Sequence, residues 1–302
     1  MNGLSDNARG AIFMAICMAG FVLNDAMIKL ATQEVSLFQA IFLRGILASL
    51  LIGALAWWRR QLIYRVSRGD GWLLALRIFG EMGGTVCYLT ALMHIPIANA
   101  TAILQALPLA VTLGAAVFLK EPVGWKRYTA IAIGFAGVLI IVRPGAEGFD
   151  AFALLAVVAV GFVTLRDLAT RQLSGPVPSL FVAFGTAVAI MLFGAVMLPF
   201  TEWKPVAGRD LLHLTIAAGA LFFGYVFSVS SVRVGEVAFV APFRYTILIW
   251  AILLGVVIFG DIPDGWTLLG AGIIVATGVF TFYRERRLAR RPVAAVALET
   301  AD

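Results

Sequence analysis

Apolar positions in this chain neither alternate with polar ones nor fall on a single helical stripe. They form long unbroken runs of about the 20 residues that an α-helix needs to cross the hydrocarbon core of a bilayer. Ten such runs can be read: 10–31, 36–57, 72–93, 97–119, 125–142, 150–172, 178–199, 209–232, 236–259 and 265–283. They are too continuous for barrel strands, which are about ten residues of alternating polarity. The connections are short and hold no inserted soluble domain. The first run has few flanking positive charges and leads straight into further helices, which argues against a cleaved leader.

Composition points the same way. The chain has 302 residues, 61% hydrophobic and 13% charged, with a mean hydropathy of +0.96. A soluble domain carries about 25% charged residues, so this chain lacks the charge to cover a water-facing surface. That argues against a soluble enzyme, a nucleic-acid binder and a disordered chain. Cys17 and Cys87 both sit inside apolar runs and form neither a disulfide framework nor a metal-ligand pattern; no cofactor is expected.

The net charge of +6 is unevenly placed. Arg9, Arg59, Arg60, Arg65, Arg68, Lys120, Lys126, Arg127, Arg171, Arg233, Arg284, Arg286, Arg287, Arg290 and Arg291 fall on one side of the ten runs, fifteen in all. Lys29, Arg143, Lys204 and Arg209 make four on the other. Loops rich in Lys and Arg stay in the cytoplasm, so both termini are expected inside. Trp57, Trp58, Trp72, Trp125, Trp203 and Trp266 lie near run ends, as an aromatic belt requires, whereas Trp250 lies deep in the ninth run.

The ten runs divide into two similar fives. Asp25/Lys29 at the end of the first run matches Asp167/Arg171 at the end of the sixth, 142 positions on. Lys120-Glu121-Pro122-Val123-Gly124-Trp125 matches Gly260-Asp261-Ile262-Pro263-Asp264-Gly265-Trp266, and twelve residues beyond each Trp stand Gly137-Val138 and Gly278-Val279. Five is odd, so the second half enters the membrane from the opposite side. The expected fold is an all-α integral membrane protein of ten transmembrane helices in two inverted five-helix repeats, N-in and C-in. The first repeat would span 1–146, the second 147–288, and a cytoplasmic tail 289–302. Inverted repeats serve alternating access around a site near the midplane.

These segments resemble the EamA-type branch of the drug/metabolite transporter superfamily. The likeness runs from about 10 to 287. It is carried by Asp25-Ala26-Met27-Ile28-Lys29, Phe42-Leu43-Arg44-Gly45, Ala98-Asn99-Ala100-Thr101, Glu121-Pro122-Val123-Gly124-Trp125, Arg143-Pro144-Gly145 and Ala241-Pro242-Phe243-Arg244-Tyr245-Thr246. The resemblance implies ten helices with both ends inside and export of amino acids or other metabolites. It is nearest to the YddG-like exporters of aromatic and other neutral amino acids, and relatives proposed to carry S-adenosylmethionine or riboflavin share much of the pattern. Many members place a Glu-Pro or similar pair in the ninth helix, matching Pro108 of the fourth. Here that region reads Tyr245-Thr246-Ile247-Leu248, and Pro242 stands one turn earlier.

Ionisable groups inside a membrane cost roughly 2.5–3.5 kcal/mol on insertion scales and usually face the bundle interior, so each is a site candidate. Arg77 and Glu81 share a helix face with Gly84 and Tyr88. They make either a self-satisfied ion pair or an inward polar stripe in which Glu81 meets a substrate amine or a proton. Arg44 has Asp25 as its expected acidic partner; it serves either as a bridge or as a fork for a carboxylate. Arg244 sits eight residues into its run, and its counterpart 139 positions earlier is Gln105. Pro242 removes a helix donor just before it. Tyr245 and Trp250 follow, and Arg with aromatics suits an organic anion or zwitterion. Alternatively Arg244 is a gate bridged to Glu81 or Asp25. Asn24 and Asn99 add neutral hydrogen-bonding groups. Glu121 is expected to pair with Lys120 or Lys126, and His94 and His213 to be isolated and interfacial.

The expected function is a secondary transporter in the cell inner membrane. It would export small metabolites, foremost neutral or aromatic amino acids, by alternating access through a cavity lined by helices 1–4 and 6–9. The alternative is a carrier for S-adenosylmethionine, riboflavin or a nucleotide-like solute. Its partners would be the small-molecule substrate and the bilayer, with a proton on Glu81 or Asp25 as the candidate coupling ion. One chain could enclose the path as a monomer. A membrane-embedded enzyme would need a nucleophile, a metal cluster or a His–carboxylate constellation, and none is visible. Nor is there a phosphate-cradling loop for direct ATP drive.

Overall fold

The computed structural model describes residues 5–121, 123–144 and 150–289. Pro122, Gly145, the boundary expected between 146 and 147, and the tail from 290 with Arg290 and Arg291 lie outside the described residues, as do the side chains of Arg286 and Arg287. Ten helices follow one another: α1 Asp6–Ala31, α2 Leu37–Trp58, α3 Arg68–His94, α4 in two pieces (Ile97–Leu104 and Leu107–Phe118), α5 Trp125–Val142, α6 Ala151–Arg171, α7 Ser179–Met197, α8 Gly208–Val234, α9 in several pieces from Val237–Val240 to Gly255–Phe259, and α10 Gly265–Ala289. Side chains cap several starts. Ser5, Ser36, Ser67 and Asp150 accept from the backbone N–H of Ala8, Gln39, Asp70 and Phe152, which satisfies donors that a helix N-terminus otherwise leaves open.

Among the described residues, nine of these ten are long and apolar enough to cross a membrane. The exception is α3, 27 residues long and carrying Arg77 and Glu81 beside Gly80, Gly83 and Gly84. It is shielded by its neighbours, packing along α6 and touching α7, α1 and α4. The belt tryptophans Trp57, Trp58, Trp72, Trp125, Trp203 and Trp266 are all exposed.

Helix pairing follows the two-fold relation of the halves. α1 packs on α8 as α6 packs on α3, while α2 meets α7, α4 meets α9 and α5 meets α10. The last pair runs backbone to backbone. A Cβ on Gly137 would lie 2.9 Å from the Gly270 carbonyl oxygen, and one on Gly270 would lie 2.6 Å from that of Gly137. Small residues of this kind let membrane helices approach closely enough for dispersion to hold them. α5 and α10 thereby form an outer pair, leaving the other eight helices around the interior.

The start of α1, the last described turns of α10 and the Arg-rich connections lie at one end of the bundle, here called the basic end. The opposite, far end is tied by Gln39, fully buried at the start of α2. Its amide donates to the Lys204 carbonyl (2.7 Å) and accepts from the Lys204 N–H (3.2 Å).

Candidate functional site

The helices α4 and α9 are both interrupted near the middle of the bundle. In α4 the break falls at Gln105 and Ala106, just ahead of Pro108. Proline has no N–H to donate, so the turn before it loses a rung. In α9 the stretch Ala241–Thr246 is wound as a 3-10 helix around Pro242. Gln105 and Arg244, matched in the two repeats, therefore stand at matched breaks. Broken helices are tolerated at membrane depth where they line a cavity or are buried in protein. Arg244 is exposed and has no hydrogen-bond or ion-pair partner among the described residues. It does not bridge to Glu81 or Asp25, contrary to one expectation. It is instead within electrostatic reach of buried Cys17 of α1.

Toward the far end, one network joins three helices. The Tyr88 hydroxyl donates to Asp25 Oδ2 at 2.9 Å. The Asn24 amide donates to Asp25 Oδ1 at 2.8 Å, and Arg44 donates to Asn24 Oδ1 at 3.0 Å. The direct Arg44–Asp25 bridge expected from the sequence is thus replaced by a relay through Asn24, whose two-ended amide accepts from one and donates to the other. Thr101 lies beside Tyr88. Asn99 Oδ1 and Arg44 Nε are buried without a partner.

Toward the basic end, Arg166 of α6 is the centre of a second network. It donates to Glu81 Oε2 at 3.1 Å and to Asp167 Oδ1 at 2.8 Å. Glu81 therefore pairs across the α3–α6 interface. Its helix neighbour Arg77 turns to the Thr170 hydroxyl (2.5 Å), so the self-satisfied Arg77–Glu81 pair is not made. Gly80 is the reason α3 and α6 come this close, because a Cβ there would sit 2.7 Å from the Phe162 carbonyl oxygen and 2.9 Å from Arg166 N. Arg166 is missing from the candidates drawn from the sequence; the signal that marks it is its position before Asp167, 142 residues after Asn24.

The ends of the path are asymmetric. At the far end, Lys29 donates to the Ile95 carbonyl between α3 and α4 (2.5 Å), lies 5.2 Å from the Phe259 ring centroid and is within electrostatic reach of Asp261. At the basic end its repeat counterpart Arg171 meets Glu121 at 2.9 Å, with both side chains nearly half exposed. Glu121 thus pairs with Arg171 rather than with Lys120 or Lys126. The far-half groups Asn24, Tyr88 and Thr101 are buried, whereas Glu81, Arg166 and Asp167 keep a quarter or more of their side-chain surface. The most deeply buried of these groups thus lie in the far half, where Asp25 and Arg44 are half-buried, whereas Arg244 at mid-depth is exposed.

Two further candidates make contacts between helices. The Tyr245 hydroxyl lies against Gly278 of α10, where no Cβ would fit. Trp250 donates its indole N–H to the Ala15 carbonyl at 3.1 Å, pinning α9 to α1. His94 is not isolated; its ring stacks on Phe152 at 3.6 Å between centroids.

A model of the EamA-like transporter family matches residues 8–143 and again 150–283. The chain belongs to the EamA-like transporter family. This is a family of membrane transporters within the drug/metabolite transporter superfamily, so the protein is a secondary transporter of small metabolites and not an enzyme. A riboflavin transporter of Vibrio cholerae is 33% identical over 224 residues, 73% of this chain and 74% of that protein. An S-adenosylmethionine uptake transporter of Rickettsia felis is 24% identical, covering 89% of this chain and 90% of its own length. A pseudopaline exporter of Pseudomonas aeruginosa is 27% identical, covering 92% and 97%. One solved crystal structure has the same fold, with a TM-score of 0.63 at 21% identity, covering 94% of this chain and 98% of that one.

Proposed function

We propose that this EamA-like transporter carries a neutral heteroaromatic metabolite larger than an amino acid, with riboflavin as the first candidate. The observation that carries this reading is the charge balance of the path. Each described carboxylate in it is already met by protein donors: Asp25 by Tyr88 and Asn24, Glu81 and Asp167 by Arg166. A cationic solute such as S-adenosylmethionine would need a carboxylate still free to pair, because a desolvated charge is expensive without its counter-charge. What remains unengaged is neutral or donating: Asn99 Oδ1, Arg44 Nε, and the guanidinium of Arg244. Such groups suit a solute that offers ring carbonyls and hydroxyls to these donors and carries no net positive charge. The 33% identity to a riboflavin transporter supports the same choice. Export of neutral or aromatic amino acids, the first expectation from the sequence, ranks below it, since the relatives named above carry larger solutes.

In this reading the solute enters from the basic end, meets Gln105 and Arg244 at the two helix breaks, and is released when the Lys29 contacts at the far end part. The bundle rocks between two closures, as inverted repeats allow. Asp25, held by neutral donors, is the candidate proton carrier. The reading is tested by titrating purified protein with riboflavin and following flavin fluorescence. Saturable quenching, relieved by excess unlabelled flavin analogue and untouched by S-adenosylmethionine or phenylalanine, is the expected result. Absence of saturable quenching together with binding of S-adenosylmethionine would overturn it.

A further inference from the structure

A cavity of about 420 Å³ opens between the basic-end halves of α2, α7 and α8; one of its lining residues, Tyr225, is within electrostatic reach of Arg77. Its lining contains none of the path residues Asp25, Arg44, Glu81, Arg166 or Arg244. Two guanidinium groups stand at its rim, Arg59 just after α2 and Arg233 in the last turn of α8, and no acidic residue lines it. Arg59 is stacked over the Trp58 ring, 4.9 Å from its centroid; neither arginine has an ion-pair partner among the described residues. The walls below are apolar: Leu180, Phe223 and Val226. The level is that of the belt residue Trp58, where the hydrocarbon gives way to headgroups.

We infer that this groove binds one anionic phospholipid from the leaflet at the basic end. The phosphodiester would lie between Arg59 and Arg233, and an acyl chain would run down over Leu180, Phe223 and Val226. Charge complementarity decides the occupant. An apolar wall alone would accept any lipid tail, but paired cations with no acid among them select a headgroup of net negative charge. Basic pockets between membrane helices recognise lipid headgroups in this way. The arrangement also explains how two arginines can stand together without a protein counter-charge.

The test is native mass spectrometry of the full chain in detergent, after exchange into micelles containing either phosphatidylglycerol or phosphatidylcholine. Wild type is expected to retain one phosphatidylglycerol and no phosphatidylcholine. Arg59→Gln/Arg233→Gln should hold phosphatidylglycerol about 30-fold more weakly, as expected for two basic side chains lost at a membrane surface. Lys120→Gln/Lys126→Gln, with the same charge loss elsewhere at the basic end, should hold it like wild type. Val226→Trp fills the apolar wall while leaving both arginines, and should also exclude the lipid. Equal retention by wild type and the Arg59/Arg233 variant overturns the inference. So does displacement of the lipid by millimolar inorganic phosphate, which would make this a site for the bare anion.

Discussion

Arg166 holds Glu81 at 3.1 Å across the contact between α3 and α6, and holds its own neighbour Asp167 at 2.8 Å. One guanidinium thus bridges two carboxylates, two of its nitrogens taking oxygens of different acids, and Arg77 lies within electrostatic reach of both. These three side chains keep only about a quarter to a third of their surface, so breaking the pair leaves a charge that solvent compensates only in part.

Arg166→Gln is expected to lower stability by roughly 3 kcal/mol, in the range for stranding one member of a largely buried pair. Glu81→Gln/Arg166→Gln should recover part of that loss, because one of the two stranded charges is gone. Denaturant unfolding of the two single variants and the double variant, read as a cycle, measures the coupling. Strict additivity would mean that the contact contributes nothing.

Arg244→Ala is expected to leave the fold intact, since Arg244 makes no hydrogen bond or ion pair among the described residues. Transport should fall by about 10- to 150-fold, the equivalent of a charge-assisted hydrogen bond of roughly 1.5–3 kcal/mol. Arg244→Lys keeps the charge without the planar fork and should be intermediate. Initial rates in vesicles, with unfolding temperature as the control, check this. A fully active Arg244→Ala protein would remove Arg244 from the path.

Lys29→Ala is expected to loosen the far-end closure, because it deletes the link to Ile95 and the contact with Phe259. Introducing Asn99→Cys in a Cys17→Ser/Cys87→Ser background gives a reporter inside that closure. A membrane-impermeant thiol reagent added from the far side should label it several-fold faster in the Lys29→Ala protein. Arg171→Ala, at the equivalent place on the basic end, should not raise that rate.

Asp264 ties the start of α10 to the end of α5. It accepts from the Thr267 N–H at 2.8 Å and pairs with Arg143. Partial burial favours the neutral acid, but the hydrogen bonds from Arg143 and Thr267 outweigh it and hold the carboxyl down to about 2, against an ordinary 3.8. A depressed carboxylate contributes its stability above the unfolded value, and that contribution is lost as pH falls from near 4 toward 2. No change from this pair is expected between pH 5 and pH 8. Asp264→Ala should cost about 1 kcal/mol, mostly from the lost helix cap, because the exposed ion pair is screened. Thermal unfolding of wild type and Asp264→Ala across this pH range is the check.

Much of the fold was legible because its signals are local. Run length marks the helices, and the run 72–93 identifies α3 as a span even though its charges and glycines lower its hydropathy. The match of Asp25/Lys29 with Asp167/Arg171 exposed the duplication, and Pro108 and Pro242 marked the breaks. The site's pairings were not legible. Periodicity brings Arg77 beside Glu81, but Gly80 admits the α6 backbone and gives Glu81 to Arg166, 85 positions away. Asn24 likewise separates Arg44 from Asp25, a contact that depends on how α1 and α2 are rotated in the bundle. The contacts of Tyr245 with α10 and of Trp250 with α1 likewise depend on helix rotation and are not encoded in their spacing.

The most direct measurement is counterflow in liposomes holding the purified chain and loaded with unlabelled riboflavin. Labelled riboflavin should accumulate transiently and saturably. S-adenosylmethionine or phenylalanine loaded in its place should drive no such uptake, and Arg244→Ala should lower the initial riboflavin rate at least about tenfold. Exchange of S-adenosylmethionine or phenylalanine with none of riboflavin would contradict the charge-balance argument, while leaving the inverted-repeat fold as described.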